Sequence, residues 1–162
     1  MTMCKLTSVV LALILFAAVA SAEQPRPAGA KGLDPCTLVS KADIQQVVGQ
    51  NVTGPTPNAS NPAVCDFKVG DIGALGFAAQ LQRPGETPDK MIAELKKQNI
   101  PATEVKGLGD RAFFASPGYG MTQLNAFKGP NYIIITLLVP GTAEAKQKAV
   151  AETLMQKALS KL

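Results

Sequence analysis

The sequence contains no histidine and no tryptophan, two tyrosines, three cysteines and no long run of one charge. Without histidine it lacks the most usual general base and the most usual metal ligand. Nucleic-acid recognition wants a clustered basic stripe interleaved with stacking rings. Here Lys96-Lys97 is the only adjacent basic pair, and near the C-terminus Lys146, Lys148, Lys157 and Lys161 are mixed with Glu144 and Glu152. The net charge of +4 therefore reads as a solvated surface, and no nucleic-acid partner is expected. Gly107-x-Gly109 lacks the third glycine of a dinucleotide loop and opens a strand instead of a helix, so it reads as a tight turn. No cofactor and no metal are expected.

What the sequence does have begins at its N-terminus. Lys5, an apolar run from Val9 to Val19 and the small-residue stretch Ala20-Ser21-Ala22 form the three parts of a secretory signal in order. Cleavage is expected before Glu23. The uncharged stretch from Leu6 to Ala22 is short of the roughly 20 residues a spanning helix needs, so residues 1–22 read as a removable signal. The mature chain is then expected to have no membrane span and to be periplasmic or secreted. Cys4 precedes the apolar run, so it is no lipid-attachment site and would leave with the signal.

That loss makes the cysteines even. Cys36 and Cys65 remain, and in an oxidising compartment a lone pair reads most simply as one disulfide. A metal or redox pair is the weaker reading, because the spacing is not C-x-x-C and no histidine completes a zinc site.

After a Pro/Gly/Ala-rich leader over 23–33, order is expected from Asp34-Pro35-Cys36 onward, with 34–162 as a single domain. Ser40 reads as an N-cap with Asp43 at the third helical position; Ile44, Val47 and Val48 form the apolar face, and Gly49 ends the helix. Residues 50–62 read as loop and contain N-x-Ser/Thr patterns at Asn51 and Asn58. Cys65, Phe67 and Val69, then Leu75, Phe77, Ala79 and Leu81, alternate as two arms of a hairpin. Thr87-Pro88 opens a second helix with Met91, Ile92 and Leu95 inward.

Strands are expected over 102–106, 111–115, 121–128 and 132–139. The last is apolar on both faces and belongs in the middle of the sheet. Pro140-Gly141-Thr142 ends it and caps a final helix whose stripe runs through Ala151, Leu154, Met155, Ala158, Leu159 and Leu162. The fold class is α+β: a two-layer sandwich, with helices on one face of an antiparallel sheet.

Candidate chemistry is thin, and no catalytic residue is assigned. A carboxylate pair could be drawn from Asp66, Asp71, Asp110, Glu94 and Glu104, but no spacing selects two of them. Asp110 and Arg111 read as a turn or ion-pair element before a catalytic one. Tyr119, in Pro117-Gly118-Tyr119-Gly120, is either a loop aromatic that binds something or one packed over the sheet edge. Asp110, Arg111 and Tyr119 are the candidate binding residues.

Three stretches carry a resemblance: Asp34-Pro35-Cys36-Thr37-Leu38-Val39-Ser40, Cys65-Asp66-Phe67, and Gly107-Leu108-Gly109-Asp110-Arg111-Ala112-Phe113. With them the chain resembles small exported bacterial envelope proteins and lipoproteins of unknown function, over most of residues 34–162. The resemblance implies the fold and the compartment and brings no activity. Many such proteins carry a lipid-attachment cysteine at the cleavage site; this chain does not, so anchoring is not implied.

Three functions stay open. The first is a non-enzymatic accessory or binding domain for a protein, peptide or small ligand. The second is a carboxylate-dependent hydrolase or lyase, and the third an inhibitor of an extracellular enzyme.

Overall fold

The computed structural model describes residues 33–162. The signal, its cleavage site, Cys4 and the leader up to Gly32 lie outside the described residues. Pro35–Thr37 forms a 3-10 turn, followed by α1 (Lys41–Val48), β1 (Val52–Pro57), β2 (Val64–Val69), β3 (Gly73–Leu81) and α2 (Pro88–Lys97). The chain continues through β4 (Ala102–Val105), β5 (Arg111–Gly118), β6 (Met121–Lys128), β7 (Asn131–Leu138) and α3 (Glu144–Leu159). The seven strands form one antiparallel sheet in the order β1-β2-β3-β7-β6-β5-β4. As its two apolar faces require, β7 is central.

One face carries the main core. Phe67, Leu75, Phe77, Leu124, Ile133, Ile135 and Leu137 meet Ile44 of α1 and Val150, Leu154, Met155 and Ala158 of α3 there. Phe67 and Phe77 meet edge to face, with ring centroids 5.9 Å apart. The other face is covered differently. Met91, Ile92 and Leu95 of α2 pack on Phe113, Ala115, Phe127 and Tyr132, which alternate with the main-core residues along β5, β6 and β7. Helices on one face therefore describes α1 and α3 but not α2. Because Phe113, Phe127 and Tyr132 give the second face its own apolar patch, α2 has something to bury there.

Three local expectations also change. Residues 50–62 include the edge strand β1, where Pro55 and Pro57 are tolerated because an edge strand need not donate every backbone N–H. The pairing of β1 with β2 is interrupted between Thr53 and Thr56. Leu81 ends β3 at 46 % exposure, beyond the last strand-to-core contact. Thr142 does not cap α3: Ala143 holds that position without a side-chain hydrogen bond. The buried Gln147 acts there instead. Its Oε1 accepts from the Val139 N–H at 3.2 Å, and its Nε2 donates to the carbonyls of Thr142 (3.1 Å) and Gly120 (3.3 Å).

The N-terminal segment is fastened twice. Cys36 and Cys65 are disulfide-bonded, with Cα atoms 5.1 Å apart and a sequence separation of 29. The N–H of Cys36 also donates to Asp34 Oδ1 at 2.8 Å. Ser40 caps α1, accepting from the Asp43 N–H at 3.1 Å, and Gly49 closes the helix in the left-handed region at φ 73°. Asp43 then reaches across to Lys157 of α3 at 2.8 Å.

This fastening can be measured in two ways. Closing a loop of this length is worth about 3–4 kcal/mol in the chain-entropy account. Replacing Cys36 and Cys65 by alanine should lower the unfolding free energy in urea by about that much, and an unchanged midpoint would contradict it. The second measurement concerns acid. The Lys157 ammonium, with the Ser40 hydroxyl, lowers the Asp43 pKa from 3.8 to about 2. A depressed carboxylate stabilises the fold fully above its unfolded value and loses that contribution as pH falls through the folded one. Asp43→Asn should therefore melt below the wild type at pH 7, and the gap should narrow as the pH falls from about 4 to about 2. A gap independent of pH would rule the ion pair out as its source.

Candidate functional site

The conspicuous sequence motifs turn out to be structural. In the β4–β5 turn, Gly107 and Gly109 both have positive φ, at 79° and 60°. A Cβ on Gly109 would stand 2.3 Å from the Phe127 carbonyl oxygen, so only glycine fits. Leu108 between them is buried in the main core. Asp110 Oδ2 accepts from the Gly129 N–H at 2.7 Å and so ties this turn to the β6–β7 turn. Arg111 donates to Asp89 at 3.0 Å and also bonds Glu104. The two carboxylates, Asp89 first, raise its pKa further.

The three candidate binding residues do not come together. Asp110 and Arg111 stand at one end of β5. Tyr119 stands beyond the other, about 26 Å away at the rise of a strand. Tyr119 does not pack over the sheet edge: it is 96 % exposed at φ 57°, between Gly118 and Gly120. The five candidate carboxylates lie on different elements and turns. Asp66 on β2 and Glu104 on β4 are five strands apart, about 24 Å. Glu94 pairs with Lys97 at 3.0 Å, and Asp71 lies in the β2–β3 turn.

A candidate site lies elsewhere, on the part of the second sheet face that α2 leaves uncovered. A groove of about 530 Å³ crosses β2, β3, β7 and β6. The pairing arranges its lining in rows. Val64, Ala78 and Ile134 are cross-strand neighbours, as are Ala74 and Leu138, with Met121 at the end. Between these apolar rows runs a polar one, Asp66, Gly76, Thr136 and Gln123. Among the described residues, Asp66 is the only ionisable side chain in the lining. Its Oδ2 accepts from Asn58 Nδ2 at 2.8 Å, and among the described residues no cation pairs with it. At one end of the groove two hairpin tips carry exposed apolar side chains, Ile72 (76 % exposed) and Tyr119. They are three strand spacings apart, about 14 Å.

No family model, curated protein or solved structure matches this chain. The geometry alone has to speak for the site.

A second hollow, about 250 Å³, adjoins the groove through Gln123 and lies under α2, lined by Met91, Leu95, Phe113, Asn125 and Tyr132 among others. Its polar centre is closed. The Tyr132 hydroxyl donates to Asn125 Oδ1 at 2.7 Å, and the Tyr132 ring stacks on Phe127 at 4.5 Å. Burial, helped by the Glu86 carboxylate, raises the Tyr132 pKa, so this phenol is a hydrogen-bond donor and not a base. Among the described residues no three His, Cys, Asp or Glu side chains gather as a metal site would need, and no helix is long and apolar enough to cross a membrane.

Sequence reasoning missed the groove because it read β3 only by its core face. The signal was the intervening set, Ala74, Gly76 and Ala78: a strand whose outward residues are all small leaves a trough when its neighbours carry Val64, Ile134 and Leu138.

Tyr132→Phe should keep the ring stacking and leave the buried Asn125 oxygen without its donor. The expected loss is about 1–3 kcal/mol in chemical unfolding. An unchanged stability would mean that Asn125 has another partner.

Proposed function

We propose that this chain is an exported, non-enzymatic binding domain and that the open face of its sheet takes the ligand. One observation carries the reading: a groove of about 530 Å³ with apolar flanks and a few converging polar groups, which is the size and chemistry of a small-ligand site. The disulfide is compatible with an oxidising compartment. It supports, together with the N-terminal signal pattern, removal of residues 1–22 and a periplasmic or secreted place of work. On the same grounds we read the chain as one of the small envelope proteins that it resembles.

The arrangement of the carboxylates favours binding over a hydrolase or lyase: Asp89 and Glu104, brought close by their shared bond to Arg111, are exposed and already ion-paired. Asp66 stands alone in the groove, whereas a glycosidase-type pair needs two acids within about 5–10 Å on one cleft. The inhibitor reading keeps one specific support, the outward Tyr119 at its hairpin tip, which a partner could take as an aromatic anchor.

A fragment screen followed by amide chemical-shift mapping tests the proposal. Apolar fragments should shift residues 74–78, 134–138 and 121–123, and Ala78→Leu, which fills the trough, should abolish those shifts. Shifts confined to the α1–α3 side, or none from any fragment, would contradict it.

A further inference from the structure

We infer that the ligand of this groove is an organic cation with an aliphatic body, held by its ammonium or guanidinium group at Asp66. The inference rests on the proposed use of the open face and adds the chemistry of what enters it.

The charge of the groove is opposite to that of the chain. The whole sequence carries +4, yet among the described residues no lysine or arginine lines either the groove or the adjoining hollow, whose ionisable groups besides Tyr132 are Asp66 and Glu94. Lys68, the next β2 side chain on this face, is exposed and outside the lining. Glu94 already has Lys97. Among the described residues, Asp66 has only the neutral amide of Asn58 as a side-chain partner. A carboxylate beside apolar surface, with no counter-ion, selects a cation and disfavours an anion.

The polar row shows how such a ligand would lie. Gly76, directly across from Asp66, sits in the interior of β3 without a positive φ, and a Cβ there would meet nothing closer than Asp66 Oδ1 at 3.6 Å. The fold thus has room for a side chain at position 76. A strand-interior glycine that the backbone does not need leaves room for the close approach of a ligand. Without a side chain at that position, the floor beside the carboxylate stays open. Thr136 and Gln123 continue the row with a hydroxyl and an amide. Val64, Ala78 and Ile134 on one side, and Ala74 and Leu138 on the other, offer hydrocarbon to the aliphatic body.

Three probes of equal chain length separate the possibilities: octylammonium, 1-octanol and octanoate, titrated into the purified protein by calorimetry or amide shifts. Octylammonium should bind about tenfold tighter than octanol, as one charge-assisted hydrogen bond provides, and octanoate most weakly. Asp66→Asn, which keeps an oxygen for Asn58, should bring the ammonium to within about threefold of the alcohol. Ala78→Leu should weaken all three, with circular dichroism confirming that both variants are folded. Added salt should reduce the ammonium preference alone.

If octanol and octylammonium bind equally, or Asp66→Asn leaves the preference intact, the cation inference is wrong while the groove remains a binding site. If none of the three binds and Ala78→Leu changes nothing, both the inference and the proposed use of the face fall.

Discussion

The pairing of β3 with β7 is the interaction on which the rest of the molecule depends. It joins two meanders, β1-β2-β3 and β4-β5-β6-β7, through an unbroken register from Ala74 opposite Leu138 to Leu81 opposite Asn131. Each of these strands is committed on one side to the main core, through Leu75, Phe77 and Ala79 and through Ile133, Ile135 and Leu137. Side chains alternate, so a one-residue slip would turn all of these outward. The same alternation fixes Ala74, Gly76, Ala78, Ile134, Thr136 and Leu138 on the other face. One register thereby builds both the core and the groove. The contacts that form it are distant in sequence, so the seam forms only after a large loop is closed.

The remaining devices hold what the seam brings together. The Cys36–Cys65 disulfide fastens the N-terminal turn to β2, and the Asp43–Lys157 pair links α1 to α3. Lys128 donates to the Leu159 carbonyl at 2.8 Å and closes the end of α3 onto β6. Gln147 does comparable work at the start of that helix. All of these serve the core side of the sheet. On the groove side, among the described residues, α2 stands at one margin and nothing covers β2, β3 and the adjoining part of β7.

Much of the fold was legible in the sequence, because local chemistry dictates it. Ser40 and Gly49 bound α1, Thr87-Pro88 opens α2, and the strand periods over Cys65–Ala79 and Arg111–Leu138 match the observed ladder. The double-sided apolar pattern of Ile133–Leu138 placed β7 in the middle. What was not legible depends on tertiary partners. A loop-like composition hid β1, whose prolines an edge position tolerates. The side of the sheet chosen by α2 depends on Phe113, Phe127 and Tyr132 meeting across three strands. Thr142 looked like a cap, but the buried amide of Gln147 reaches back to the same end of the helix. The candidate site was the least legible part, since Asp66, Thr136 and Gln123 become neighbours only through the β2–β3, β3–β7 and β7–β6 pairings. The motifs that looked most distinctive, Asp34-Pro35-Cys36 and Gly107-Leu108-Gly109-Asp110, serve capping, packing and turn formation.

The central claim is that the face left open by the helices is where this protein meets its ligand, with Asp66 as its polar anchor. A crystal structure of the purified protein grown with octylammonium tests it most directly. The account predicts the alkyl chain over Ala74–Ala78 and Ile134–Leu138, with the nitrogen within hydrogen-bonding distance of an Asp66 oxygen. An alkyl chain lying against the α1–α3 side, or in the groove with its nitrogen turned away from Asp66, would contradict it.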